Sequence, residues 1–223
     1  VPPVLLGQAR HVDNKYVRFV FWTAVIMGSL VGLGRLIAFD TWTVPDNIGI
    51  FSAPTLAAGD TVVLLRRGQP GFGDLVRCTD PEKPTDFVIG RIVGLAGDEV
   101  LVTQTGIRVN NKRYDPDTMC KDGSFRAIHP ATGAELEFTC AIVNAMGGGW
   151  HYIAEDRNHR QIDKQPSKVT PGNVYLLSDN RDFHDDTRDY GQVPFSSCKE
   201  RIVFRLWGKE GWGDSASRLT VIR

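Results

Sequence analysis

The chain has 223 residues, 42% of them hydrophobic, and its 26 basic side chains balance its 26 acidic ones. That length suits one compact domain with additions. Zero net charge argues against a nucleic-acid partner, because phosphate binding needs a basic surface. Short apolar runs broken by 12 prolines and 23 glycines favour a β-rich fold with many turns.

Residues 1–15 read as an irregular lead-in. Residues 16–39 read as one membrane-spanning helix: Phe19 to Gly34 carries no charged side chain, and Arg35 near its end can reach the interface. From Phe19 to Phe39 a helix measures about 31 Å, close to the hydrocarbon thickness of a bilayer. No small-x-small cleavage site follows. Arg10, Lys15 and Arg18 precede the span and Asp40 follows it. The positive-inside bias therefore leaves the N-terminus in the cytoplasm and the main domain outside an inner (cytoplasmic) membrane, on its periplasmic side. Trp42 stands where an interfacial aromatic is expected.

Strand patterns follow: Thr61–Leu65, Asp74–Arg77, Phe87–Ile89 running into Arg91–Val93, then Glu99–Val102. Ile107–Val109, the turn Asn110-Asn111 and Lys112–Tyr114 read as a hairpin. Residues 115–170 change character, with Gly147-Gly148-Gly149, His129, Trp150, His151, His159 and many charges. They read as an inserted subdomain. The strand pattern resumes at Val174–Leu177 and again at Arg201–Trp207, where alternation buries one face. The tail 208–223 is glycine-rich, as flexible ends are.

Four cysteines, Cys78, Cys120, Cys140 and Cys198, allow three pairings. Cys120 with Cys140 is favoured because the two bracket one local insertion; free buried thiols are the alternative. No C-x-x-C pair occurs and the five histidines show no ligand spacing, so no metal and no cofactor is expected.

The densest signal is Ser178-Asp179-Asn180-Arg181-Asp182-Phe183-His184-Asp185-Asp186-Thr187-Arg188-Asp189-Tyr190-Gly191-Gln192-Val193-Pro194, directly after an apolar strand. Such a run reads as a hydrogen-bonded turn in which arginine forks hold carboxylates and carbonyls. It resembles the motif Gly-Asp-Asn-Arg-Asp-Asn-Ser-x-Asp-Ser-Arg-x-x-Gly-x-Val-Pro of type I signal peptidases, membrane-bound serine proteases that remove leader peptides. Two further segments resemble that family in order and spacing. Ile89-Gly90-Arg91-Ile92-Val93-Gly94-Leu95-Ala96-Gly97-Asp98 is similar to Ile-Lys-Arg-Val-Val-Gly-Leu-Pro-Gly-Asp. Phe51-Ser52-Ala53-Pro54-Thr55-Leu56 followed by Gly59-Asp60 is similar to Ser-Met-x-Pro-Thr-Leu followed by Gly-Asp.

The resemblance implies a mainly β fold: a partly open antiparallel β-barrel built from 43–114 and 171–207, with 115–170 inserted. It also implies a serine–lysine dyad, which these residues lack. The nucleophile position is Phe51 and the general-base position is Gly90; the base-supporting serine corresponds to His184 and the oxyanion-hole serine to Gly49. Arg91 cannot stand in for the lysine, because guanidinium does not deprotonate. Ser52 lies one register off, which on an extended strand turns it to the opposite face. By contrast Asp179, Asn180, Arg181, Asp182, Asp186 and Arg188 match the family's structural motif.

No catalytic residue is therefore expected. The chain reads as a pseudoenzyme, a structural or binding subunit of a membrane assembly. Its expected partners are other membrane protein subunits, signal-peptide-like segments and the lipid bilayer. The alternative is an active serine endopeptidase with rewired residues, Ser52 as nucleophile and His184 as base, oriented by Asp185 or Asp186.

Overall fold

The computed structural model describes residues 14–103, 106–155 and 165–222. The lead-in as far as residue 13, and His159 of the insert, lie outside the described residues. Two compact units divide at Ala38 and Phe39. In the first, helix α1 (Asn14–Ile37) includes a stretch, Lys15–Arg35, of mean hydropathy 1.7 with none of it buried. By length and composition it can cross a membrane.

The second unit begins with β1 (Phe39–Thr43), α2 (Asp46–Ser52), β2 (Thr61–Leu65), β3 (Leu75–Thr79), β4 (Phe87–Gly94), β5 (Glu99–Val102), β6 (Ile107–Val109) and β7 (Lys112–Tyr114). The insert supplies β8 (Pro116–Ile128), β9 (Glu135–Met146), β10 (Gly149–Glu155) and β11 (Ser167–Lys168). The chain returns through β12 (Asn173–Leu177), α3 (Thr187–Tyr190), β13 (Val193–Pro194), β14 (Glu200–Trp207) and β15 (Thr220–Val221). The main sheet runs β1-β2-β14-β3-β4-β12-β13 with β15 on β14, and its end strands do not pair with each other. It is a curled, half-open barrel, and the fold is mainly β. β11-β5-β6-β7 and β10-β9-β8 form two smaller sheets. Every pairing between these strands is antiparallel.

One turn device recurs along the barrel. Asp60, Asp74 and Asp98 each accept, through a carboxylate oxygen, the N–H of the residue three before: Ala57 at 2.9 Å, Gly71 at 2.7 Å and Leu95 at 2.9 Å. The glycine before each Asp has φ of +85° to +95°, which only glycine adopts freely. The Gly-Asp pairs of the sequence are these turns.

Two elements differ from the sequence reading, residues 46–52 and the tail. Residues 46–52 are helical, not extended. Within the insert, β8, β9 and β10 form a three-stranded sheet, with β8 and β9 of 13 and 12 residues, tied by the favoured disulfide between Cys120 and Cys140. The tail does not simply trail away: β15 pairs with β14 through Phe204 and Arg205. A second disulfide, Cys78–Cys198, joins β3 to the segment before β14 and is fully buried. Trp42 is half-buried against the core around Val62 and Leu64, with the Arg77 guanidinium 4.9 Å from its ring centre.

Candidate functional site

Helix α2 carries three of the positions that matter, Gly49, Phe51 and Ser52, and it is only seven residues long. Asp46 in its first turn suits the positive end of the helix. Ile48 and Ile50 bury apolar side chains. Gly49 lies so close to Ala58 that an added Cβ would stand 2.3 Å from the Ala58 nitrogen. So short a helix leaves its last carbonyls open, and Asn180 takes two of them. Its Nδ2 donates to Ile50 O at 3.0 Å and its backbone N–H to Phe51 O at 3.0 Å. Its Oδ1 accepts from Asp182 and Phe183 N–H groups at 3.2 and 2.9 Å. Asn180 thus fixes the charged turn against the end of α2.

Phe51, the residue expected at the position of the family nucleophile, is half-buried and stacks on Phe183, with ring centres 5.7 Å apart and planes 12° from parallel. Ser52 is 1% exposed and its Oγ donates back to Gly49 O at 3.3 Å. Because the backbone here is helical, a shift of one residue rotates the side chain by about 100° about the helix axis instead of reversing its face. Gly90, in the middle of β4, is buried, and a Cβ added there would meet Leu176 Cβ at 2.9 Å. His184 is half-buried; its Nδ1 pairs with Asp189 Oδ2 at 2.7 Å, so its carboxylate partner is neither Asp185 nor Asp186. The hydrogen bonds of Ser52 and His184 run to Gly49 and Asp189, not to each other.

The charged residues build two buried ion pairs. Arg91 grips Asp179 with a fork, Nε to Oδ1 at 2.8 Å and Nη2 to Oδ2 at 2.6 Å, and its Nη1 donates to Gly73 O at 2.7 Å. Thr55 donates to the same carboxylate at 2.6 Å. Arg188 grips Asp186 through Nε and Nη2 at 2.9 and 2.7 Å, and its Nη1 donates to Arg181 O at 2.9 Å. Asp186 also accepts Ser178 N–H at 2.8 Å and caps α3, where Asp189 answers with a reciprocal bond. Burial pushes both carboxyls up, but the facing arginines, together with Thr55 or the backbone donors, outweigh it and hold both below the usual range. Asp185 moves the other way, raised by burial and by the nearby carboxylates, Asp189 first.

His184, Asp186 and Asp189 bring ligand-type atoms within 4.8 Å of one another. The facing atoms already have partners: both oxygens of Asp186 face Arg188, and Asp189 Oδ2 serves His184 and Asp186 N–H. The cluster is the cap of α3.

Residues 15–207 match the family described as signal peptidase, peptidase S26. The chain belongs to this family. It is 23% identical over 234 residues to signal peptidase I of Rickettsia akari (strain Hartford), covering 91% of this chain and 84% of that protein. It is 22% identical over 141 residues to mitochondrial inner membrane protease subunit 1 of Xenopus tropicalis, 63% of this chain but only 52% of the relative's length. Mitochondrial ATP-independent inner membrane protease subunit 1a of Arabidopsis thaliana is 23% identical, over 72% of this chain and 67% of its own. Among solved structures, a signal peptidase I from Enterococcus faecalis V583 overlays with a TM-score of 0.39 at 19% identity, covering 60% of this chain and 97% of that one.

Within this signal-peptidase family member an apolar groove of about 610 Å³ lies between the end of α2 and the β8–β9 hairpin, lined by Ile50, Pro54, Leu56, Phe125 and Ile128 among others. Sequence reasoning missed the partner of Arg91, which stands 88 residues away, and the buried place of His151. His151 is 2% exposed on β10. Burial, and then the Arg91 charge, push its imidazole well below the usual histidine range, so it is neutral. The alternation Trp150-His151-Tyr152-Ile153 was the available signal, since it puts His151 and Ile153 on one strand face.

Proposed function

We propose that this chain is a catalytically inert signal peptidase homologue that acts by binding, as a structural or peptide-holding subunit of a membrane protein assembly. The observation that carries the reading is Gly90. The family's chemistry needs a lysine amine within hydrogen-bond reach of a serine hydroxyl, and the Cβ of such a lysine would stand 2.9 Å from Leu176 Cβ. Phe51 adds to it by stacking on Phe183 where the hydroxyl would be. Ser52, the nearest alternative nucleophile, spends its proton on Gly49.

What is retained supports a binding role. The Arg91–Asp179 and Arg188–Asp186 pairs and the Asn180 clamp keep the end of α2 in place. The apolar groove beside that end has the size of a peptide-binding cleft, and a signal-peptide-like segment is the ligand it would take. Two disulfides fit an oxidising compartment. With Arg10 ahead of α1 and Lys15 and Arg18 in its first turns, they support an N-terminus in the cytoplasm and a β domain on the periplasmic side of an inner membrane.

The test is gentle extraction of the native membrane, capture of this chain, and mass spectrometry of what accompanies it. A fixed stoichiometric set of other subunits is the expected result. A chain recovered alone, together with cleavage of a leader peptide that Ser52→Ala abolishes, would restore the protease reading.

A further inference from the structure

A second cavity, of about 460 Å³, shares Pro54 with the apolar groove, and no family motif assigns it a role. Its walls include the Trp150–Tyr152 ring pair, Pro54 and Val221. Its polar lining is uneven. Thr55 has committed its proton to Asp179 at 2.6 Å. Three other groups have donors to spare. Thr220 Oγ1 accepts from Arg205 Nε at 3.0 Å, which leaves its own hydrogen without an acceptor among the described residues. Arg205 uses one more N–H on Asp60 at 2.8 Å, and the rest of its fork has no acceptor among those residues. His151 has no hydrogen bond on either ring nitrogen among them, and its Nε2 is buried without a partner. A buried donor left unmade costs stability; His151 Nε2 is buried without a partner, and the half-buried Arg205 and Thr220 hold spare donors at the same cavity, which points to a ligand that accepts.

We propose that this cavity binds a carboxylate carried on a short apolar body, the free C-terminal residue of a peptide. Arg205, held by Asp60 and Thr220, presents a pre-oriented fork, and such forks match the two oxygens of a carboxylate. The Thr220 hydroxyl and the His151 ring N–H supply further donors. The ring pair, Pro54 and Val221 receive the terminal side chain. The volume falls in the range of sites for small ligands and is too small for a folded partner. This site does not depend on whether the chain cleaves peptides.

The test uses the full chain in lipid nanodiscs, titrated by calorimetry with N-acetyl-leucine, N-acetyl-leucinamide and octanoate. The expected result is binding of N-acetyl-leucine, with the amide at least about tenfold weaker, the size of a lost hydrogen bond to a charged group. Thr220→Val, isosteric and at a half-buried position, should weaken N-acetyl-leucine about tenfold at an unchanged melting temperature. His151→Phe should do the same if it folds. Equal binding of acid and amide would overturn the carboxylate assignment. Octanoate binding without N-acetyl-leucine binding would overturn the peptide terminus in favour of a fatty acid. Silence of N-acetyl-leucine up to roughly 10 mM, beyond the weak end of ordinary affinities, would overturn the site.

Discussion

Replacing Gly90 by alanine asks whether β4 has room for any side chain at the position where the family resemblance expects a lysine. The new Cβ would stand 2.9 Å from Leu176 Cβ and 3.6 Å from its Cγ and Cδ1. Turning the Leu176 side chain cannot relieve the first contact, because a Cβ is fixed by its own backbone. β12 would have to move away from β4, yet Leu176 is fully buried and pairs with Ile92. Overpacking of this kind costs about 1–3 kcal/mol. Removing glycine's extra freedom in the unfolded chain offsets roughly 0.4–1 kcal/mol of that. The net expectation is a loss of about 0.5–2 kcal/mol, read as a lower urea midpoint at unchanged slope by tryptophan fluorescence of the full chain in micelles. Gly90→Lys should cost more, since its amine enters a buried strand. A Gly90→Ala midpoint equal to or above that of the parent would mean that the strand accepts a side chain, and the steric argument for an absent base would fall.

Three further outcomes are expected. Asp179→Asn should lower stability by about 3–5 kcal/mol by leaving Arg91 buried and unpaired; a loss below about 1 kcal/mol in the same urea assay would mean that water already screens the pair. Asn180→Ala should speed amide exchange across 50–56, because Ile50 O loses its donor and the Asp182 and Phe183 N–H groups lose their acceptor, at a cost of about 1–3 kcal/mol; unchanged exchange would mean that the side-chain clamp does not hold the helix. His151 is neutral in the fold and titrates near 6.5 when unfolded, so protons favour the unfolded chain below that pH. Stability should therefore fall as pH drops from about 6.5, by at most about 1.4 kcal/mol per unit, until the folded imidazole itself protonates. His151→Phe should remove that slope, whereas the slope from Asp179 and Asp186, whose carboxyls are held low in the fold, should remain below about pH 4. A parent protein with flat stability between pH 6.5 and about 4.5 would contradict the burial of a neutral His151.

Local rules exposed much of this fold in the sequence. Thr61–Leu65 and Glu99–Val102 stand where alternation put them. The hairpin at Asn110-Asn111 turns through a residue with φ of +54°. What local rules could not reach was pairing at a distance. Arg91 looked only like an unusable base, because its partner Asp179 comes 88 residues later. Asp46–Ser52 looked extended because its Ile-Gly-Ile-Phe run is shorter than two helical turns, too short for its period to declare itself. In the insert, a bulge between Met119 and Ser124 broke the alternation of β8 and hid a 13-residue strand. The Gly49 contact with Ala58 and the Gly90 contact with Leu176 are likewise tertiary, so the sequence could single out Phe51 and Gly90 as the expected dyad positions but not the packing around them.

The most direct test of the central claim is a cleavage assay on the purified full chain in lipid, incubated with a leader-peptide substrate and read by mass spectrometry alongside its Ser52→Ala variant. With Phe51 stacked on Phe183, Ser52 bonded to Gly49, and Gly90 against Leu176, the account predicts no cleavage above the uncatalysed background in either protein. Site-specific cleavage by the parent chain that Ser52→Ala abolishes would contradict it.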